Sequence, residues 1–466
     1  MSLVSFSMNY FYFFAFLFLS VLILMKPLVL PLANKFLKAS NVALLGLITA
    51  IIGLVLIFLS TSYPYWQETL WTLVTFIIGI LLVIRGSVII FYFDSIKKIL
   101  TASLRNYYKW APFVSLAFIS LAFLIITRDY LGPEKNIEKC MSDEVIDVVC
   151  GFDNPEDIVM TPDGKWLVIS ELGGIEPFGK NESSFIKLMR LDDQKIIEPR
   201  LSFGKNDWGH NTCTRDPLDE FNTHGIDILE REDGLFQIGV INHKPRETVE
   251  MFELFESDNA WELRWRGCIS ADQSVYLNDI TFLKNANFYA TYMFDKGITW
   301  NEWLVDSLLK KTTGHVKFWD GDKFNIVPGS HGSQPNGIVL DEESNLIYIA
   351  YNSGDQVKIY NINEQKLEKS IFIEGPDNLV LDGDYIWATE LNHQAGDSPT
   401  CIDAIACSLP FSIIKINKTN LEIEDKYEFR EAAFGLPTVA LPNNGIVYIG
   451  SFHADRIAFF HISSQK

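Results

Sequence analysis

The sequence predicts two regions of different class. An N-terminal all-α transmembrane region of about four helices, residues 1–128, precedes an all-β six-bladed β-propeller, residues 129–466. Three observations predict this. Charge is unevenly divided: of the net −19 over 466 residues, residues 1–128 hold nine Lys or Arg against two acids, and the remainder holds 30 against 56. Apolar runs close to the length of a bilayer crossing occur only in the N-terminal region. In the C-terminal region a single strand–turn–strand unit recurs six times. With 48% hydrophobic and 13% aromatic residues the chain can bury a core, which excludes wholesale disorder. The acidic balance argues against a nucleic-acid partner.

The expected membrane helices are residues 4–25, 42–60, 70–93 and 112–127, each near the ~20 residues that a crossing needs. Arg85 lies in the third, where a snorkelling side chain near one end is the ordinary reading. Lys26, Lys35 and Lys38 fall between the first and second helices, and Lys97, Lys98, Arg105 and Lys109 between the third and fourth. The loop 61–69 holds no Lys or Arg. The positive-inside rule puts the basic segments in the cytoplasm. Both termini then face out, and the acidic domain lies on the extracytoplasmic side of a multi-pass membrane protein. All six cysteines (Cys140, Cys150, Cys213, Cys268, Cys401 and Cys407) belong to that domain, as one to three disulfides in an oxidising compartment require, although spacing leaves their pairing open.

The six repeats are a polar pair, an apolar triplet, a turn and a second apolar strand. The apolar residue after each pair is Ile158, Ile226, Ile280, Ile338, Leu379 or Val439, at steps of 68, 54, 58, 41 and 60 residues. Repeats of about 40–50 residues with four strands each are propeller blades. Two stacked sandwiches would not require the same polar pair at every repeat start.

In a propeller the innermost strand of each blade lines the axis, so equivalent positions converge there. The pairs are Glu156/Asp157, His224/Gly225, Asn278/Asp279, Asn336/Gly337, Asp377/Asn378 and Pro437/Thr438. Any one Asn or Asp before a strand is ordinarily a turn or capping residue. Four such pairs at one repeat position point instead to a metal. Hard oxygen donors without clustered Cys or His select Ca²⁺ over zinc. Glu156 and Asp377 would balance one divalent ion, with Asn278, Asn336 and Asn378 as neutral ligands; Asp157 and Asp279 are placed for a second ion. A covalent serine route is not expected, since no Gly-x-Ser-x-Gly motif occurs.

The motifs Pro155-Glu156-Asp157, His224-Gly225-Ile226, Val240-Ile241-Asn242-His243, Leu277-Asn278-Asp279-Ile280, Asn336-Gly337-Ile338 and Asp377-Asn378 follow one another in an order that resembles the calcium-dependent propellers of the paraoxonase/arylesterase family. The resemblance extends more loosely to gluconolactonase and strictosidine-synthase-like propellers. It implies a catalytic calcium on Glu156, Asn278, Asn336, Asp377 and Asn378. It also implies a structural calcium on Asp157, Asp279 and the backbone carbonyl of Ile226, and a water-activating pair, His224 and His243. The implied activity is hydrolysis of lactones and aryl esters, with a small-molecule lactone or ester as partner. Two departures stand out. Tyr292-Met293-Phe294 replaces a polar Asn-Asp-His stretch, and His393 lies two positions beyond an expected histidine. His210, His315, His331 and His453 read as structural, and the segment from Trp300 to Leu309 as a helix packed on the propeller. The competing expectation is a non-catalytic, calcium-stabilised binding platform, which would not need the histidine pair.

Overall fold

The computed structural model describes residues 3–38, 41–62, 70–126, 133–258, 260–393, 401 and 404–464. The chain divides into two compact units, Met1–Leu131 and Gly132–Lys466. The expected join near Arg128 and most of the loop 61–69 lie outside the described residues.

Among its described residues the first unit contains five helices: α1 (Leu3–Leu24), α2 (Lys26–Leu37), α3 (Val42–Thr61), α4 (Leu70–Arg105) and α5 (Tyr107–Ile126). Three of them are long and apolar enough to cross a membrane, or four if the pair α1 and α2, bent by 89°, is one span. The outward side chains are large and apolar: Phe14, Phe18, Phe58, Phe91, Phe113 and Phe123 are all exposed. Two expectations need correction. The basic segment after α1 is a helix rather than a loop, with Pro27 in its first turn, where a missing N–H costs nothing. The basic residues Lys97, Lys98 and Arg105 likewise continue α4, beyond a break in helical dihedrals at Tyr92 (φ −132°, ψ 33°). Charge marks the end of a hydrophobic run, not the end of a helix, because Lys and Arg are good helix formers. For the same reason α5 begins at Tyr107, five residues before the apolar run.

Helices α3 and α4 meet through glycine. A Cβ on Gly53 would come within 2.6 Å of the Gly79 carbonyl, and one on Gly86 within 2.5 Å of the Gly46 carbonyl. Such small residues let two backbones approach closely where lipid supplies no hydrophobic drive. Helix α1 packs against α5 and the start of α4 through Tyr12, Phe16, Trp71, Ala122 and Ile125, and the Tyr12 hydroxyl lies 2.6 Å from the Thr75 hydroxyl.

The second unit is a propeller of six sheets, one per blade, each built on an antiparallel meander. The innermost strands are Pro155–Met160, Thr223–Glu230, Val275–Phe282, Pro335–Asp341, Leu379–Asp382 and Pro437–Asn443. Each contacts the next, and the last contacts the first, so the ring is closed. One blade draws on both ends of the domain: Asp147–Cys150, from its start, pairs with Arg456–His461 from its end. The residues that follow the polar pairs are all buried, from Val439 at 0% exposed to Leu379 at 6%. Six apolar clusters fill the six spaces between adjacent blades.

The uneven repeat steps have structural causes. The 68-residue step carries an added strand, Arg200–Phe203, which joins the outer edge of the second blade in parallel with Ala260–Ser270. The 58-residue step carries α6, Trp300–Leu308. Three disulfides join Cys140 to Cys150, Cys213 to Cys268 and Cys401 to Cys407. All are in this unit, as an oxidising environment permits.

Candidate active site

The polar pairs stand where the inner strands leave their ladders. Pairing with the second strand skips from Pro155 to Asp157, Thr223 to Ile226, Leu277 to Ile280, Pro335 to Ile338 and Pro437 to Ala440. In the fifth blade the ladder begins at Leu379, directly after Asp377 and Asn378. A bulge of this kind frees residues from pairing and re-aims them. Here an interruption stands beside the polar pair in five blades, and in the fifth blade the pair precedes the ladder.

The first set of expected ligands is brought together. Asn378 donates through Nδ2 to Glu156 Oε1 at 2.9 Å, and His224 Nε2 lies 3.7 Å from the same oxygen. Asn278 Nδ2 is 3.3 Å from His224 Nε2, and Asn336 hydrogen-bonds to Asp377. All five ligand residues are at most 6% exposed. Each still has one oxygen without a hydrogen-bond partner among the described residues: Glu156 Oε2, Asn278 Oδ1, Asn336 Oδ1, Asp377 Oδ1 and Asn378 Oδ1. Buried polar atoms are rarely left unpaired, because each costs about 1–3 kcal/mol. Burial, followed by the neighbouring Asp157, Asp377 and Asp279, pushes the Glu156 carboxyl well above its ordinary range. Burial and Asp157 push Asp377 up to about 8. Among the described residues no three His, Cys, Asp or Glu form a metal-ligating group. The fit is therefore to a cation that accepts amide oxygens, which is the calcium donor set of two carboxylates and three amides.

The second set is engaged differently. Asp157 accepts from the N–H groups of Ile158 (2.8 Å) and Ile226 (2.7 Å), and Asp279 from those of Ile280 (2.7 Å) and Ile338 (2.9 Å). These carboxylates clamp the first blade to the second and the third to the fourth through backbone. Gly225 and Gly337 serve the seams to the third and fifth blades, where a Cβ on either would come within 2.6 Å of the next inner strand. Asp227, which sequence reasoning passed over, makes the same kind of clamp to the Phe282 N–H at 2.7 Å, and burial pushes it up to about 7. Asp157 is pushed up to about 6 and Asp279 well above its range, burial being the main cause of both. The sixth pair has no carboxyl group, and it serves the backbone. The Thr438 hydroxyl donates to the Glu156 carbonyl, and the Thr438 carbonyl accepts from the Asn378 N–H at 2.8 Å.

The histidine pair is in contact: His224 Nδ1 lies 2.8 Å from His243 Nε2, and both side chains are buried. Burial, then the neighbouring His243, holds His224 well below the usual imidazole range, so it is neutral near pH 7. The contact runs on to a residue the sequence did not disclose. His243 Nδ1 is 2.8 and 3.0 Å from the two oxygens of Glu247, which is fully buried and ion-paired to Lys296 at 2.9 Å. A Glu in the turn between two strands reads as a solvated residue, and only its tertiary contacts reveal otherwise.

The wall beside Asn278 is apolar. Met293 Sδ is 3.5 Å from Asn278 Nδ2, and Met293, Phe294, Tyr276 and Trp303 form one cluster with Leu172 and Ile175. Helix α6 packs on this wall through Trp303, whose Nε1 donates to Gln334 at 3.1 Å; a Thr299/Glu302 capping box starts the helix. The other histidines stand elsewhere. His453 bonds to the carbonyls of Cys401 and Ala404, His210 to Thr212, and His315 stacks on Tyr292 and His331. His393 is buried beside Pro410 and held down to about 4, mainly by burial.

Comparison with known proteins identifies relatives of the chain. The family model described as Arylesterase matches residues 154–389, half of the chain. The chain is 24% identical over 289 residues to human serum paraoxonase/arylesterase 2, covering 58% of this chain and 76% of that protein. It is 26% identical over 213 residues to human serum paraoxonase/arylesterase 1, covering 44% and 55%. Among solved structures, a luciferin-regenerating enzyme is similar at a TM-score of 0.42 and 11% identity, over 67% of this chain and 92% of that one. A gluconolactonase from Xanthomonas campestris is similar at 0.39 and 10%, over 69% and 91%.

Proposed function

Because the chain belongs to the arylesterase family, we propose that its propeller hydrolyses lactones or aryl esters, using a calcium held at the axis by Glu156, Asn278, Asn336, Asp377 and Asn378. The observation that carries this reading is the five orphaned oxygens gathered beside a neutral, buried histidine. The chemistry that a bound calcium supplies there is Lewis-acid polarisation of a carbonyl and stabilisation of the developing oxyanion. His224 takes a proton from water at Nε2; its burial keeps that nitrogen neutral and able to accept. His243 holds the His224 ring in place. Met293, Phe294 and Tyr276 keep the site dry on one side and favour an apolar acyl or aryl group. Asp157, Asp279 and the Ile226 carbonyl would hold a second, structural calcium. The apolar helices anchor the chain in a membrane. The basic α2 and the distal half of α4 lie on the cytoplasmic side, and the disulfide-bonded domain lies outside.

The test is hydrolysis of a panel of γ- and δ-lactones and phenyl acetate by the detergent-purified full chain. It is run with calcium, after chelation and readdition, and with His224→Gln. Activity should vanish on chelation, return with calcium and fall by roughly 10²–10⁴-fold in the variant. A protein that binds calcium and melts cooperatively yet leaves every substrate at the uncatalysed rate would establish the binding platform instead.

A further inference from the structure

We propose that Glu247, anchored by Lys296, is a positioning residue that sets the tautomers of both histidines and so leaves His224 Nε2 as the bare, proton-accepting nitrogen. The catalytic consequence rests on the hydrolase reading above, but the tautomer assignment does not.

With one hydrogen on each ring, donors and acceptors fix the assignment. His243 Nδ1 faces two carboxylate oxygens, at 2.8 and 3.0 Å, and an ionised carboxylate can only accept. Nδ1 therefore carries the ring's one hydrogen, and Nε2 presents a lone pair. That lone pair is 2.8 Å from His224 Nδ1, so Nδ1 of His224 must be the donor. With its hydrogen on Nδ1, His224 is then bare at Nε2, the nitrogen that lies beside Asn278 and Glu156. The Asn278 amide can donate to it.

Glu247 is held for this role from several sides. Lys296 Nζ is 2.9 Å from Oε1, the Leu277 N–H is 3.3 Å from Oε2, and the Glu247 N–H donates to Gln273 at 3.0 Å. Lys296 also lies over the Tyr276 ring at 5.0 Å, and Tyr276 meets the His243 ring edge-on at 5.4 Å. The ion pair sets a cation against a carboxylate that is itself fully buried. When His224 Nε2 gains a proton from water, its Nδ1 proton can pass to His243 Nε2. The positive charge then rests on His243, against the Glu247 carboxylate, and no net proton leaves the chain of three residues. A third group that orients the base is the general requirement for such a relay.

The experiment is long-range ¹H–¹⁵N correlation on the full chain labelled with ¹⁵N-histidine, in detergent near neutral pH. Resonances are assigned by comparison with His224→Gln and His243→Gln. Wild type should show Nδ1–H and bare Nε2 at both residues. In Glu247→Gln, whose amide can also donate, His243 should shift toward the other tautomer and His224 should follow; Glu247→Asp should recover much of the wild-type pattern. A wild-type His224 protonated at Nε2, or an unchanged pattern in a folded Glu247→Gln, would overturn the proposal. On any substrate from the panel, Glu247→Gln should lower kcat roughly 10–100-fold with KM little changed. If no substrate is turned over, the hydrolase reading fails while the spectra still decide the role of Glu247.

Discussion

At the scale of single residues, the polar pairs follow a rule that separates them by role. In the first four pairs the first member supplies an oxygen or a ring nitrogen to the axis, and the second decides how close the neighbouring blade can come. Where it is Asp, a carboxylate reaches across; where it is Gly, the next backbone is admitted. Gly337→Ala should therefore push Asn378 and the Asp377 carbonyl away, since its Cβ would meet them at 2.4 and 2.5 Å. The expected cost is about 1–3 kcal/mol, read as a lower denaturation midpoint of the full chain; an unchanged midpoint would show that the inner strands can give way. The candidates on the inner strands were legible in the sequence because a sixfold repeat turns weak single-residue signals into one shared register. Glu247, Lys296 and Asp227 were not legible, because each occurs once, outside the polar pairs. Their partners, His243, Glu247 and the Phe282 N–H, are fixed by tertiary contact and not by spacing.

At the scale of elements, the two units obey opposite rules. Every strand of the propeller that was read from apolar runs is present, since turns such as Pro162-Asp163-Gly164 mark strand ends physically. The helices are less well bounded in sequence, because nothing in a charged segment obliges a helix to stop; α2 and the end of α4 are the result. Pairing of α3 with α4 rests on four glycines at matching heights. Gly79→Val would place branched carbons where a Cβ already meets the Gly53 carbonyl at 2.8 Å. It should separate the pair and lower the temperature at which the detergent-solubilised protein aggregates. Leu54→Val, on the exposed face of α3, should leave that temperature within about a degree of wild type, as exposed substitutions usually cost under about 0.5 kcal/mol. Equal behaviour of the two variants would rule out glycine contact as what holds the helices together.

At the scale of the whole molecule, the ring shares its charge problem among blades that are distant in sequence. Glu156 and Asn378 touch across 222 residues, and Thr438 ties to Glu156 across 282. A cation bound at the axis thus joins the first, third, fourth and fifth blades at once. It should stabilise all of them in a single transition. Calcium at about a hundred times its Kd should add about 2.7 kcal/mol to unfolding of the domain. That gain should be absent from Asp377→Asn, measured as the calcium-dependent shift in thermal midpoint. A separate calcium-dependent transition for some blades alone would contradict the shared site.

The skipped ladder positions also bear on how such a protein can be altered over time. The paired strands resume beyond each interruption. The unpaired Glu156, His224, Asn278 and Asn336 can therefore be exchanged without breaking a rung of their sheets, so new chemistries can be tried at the axis while the surrounding wheel keeps its shape.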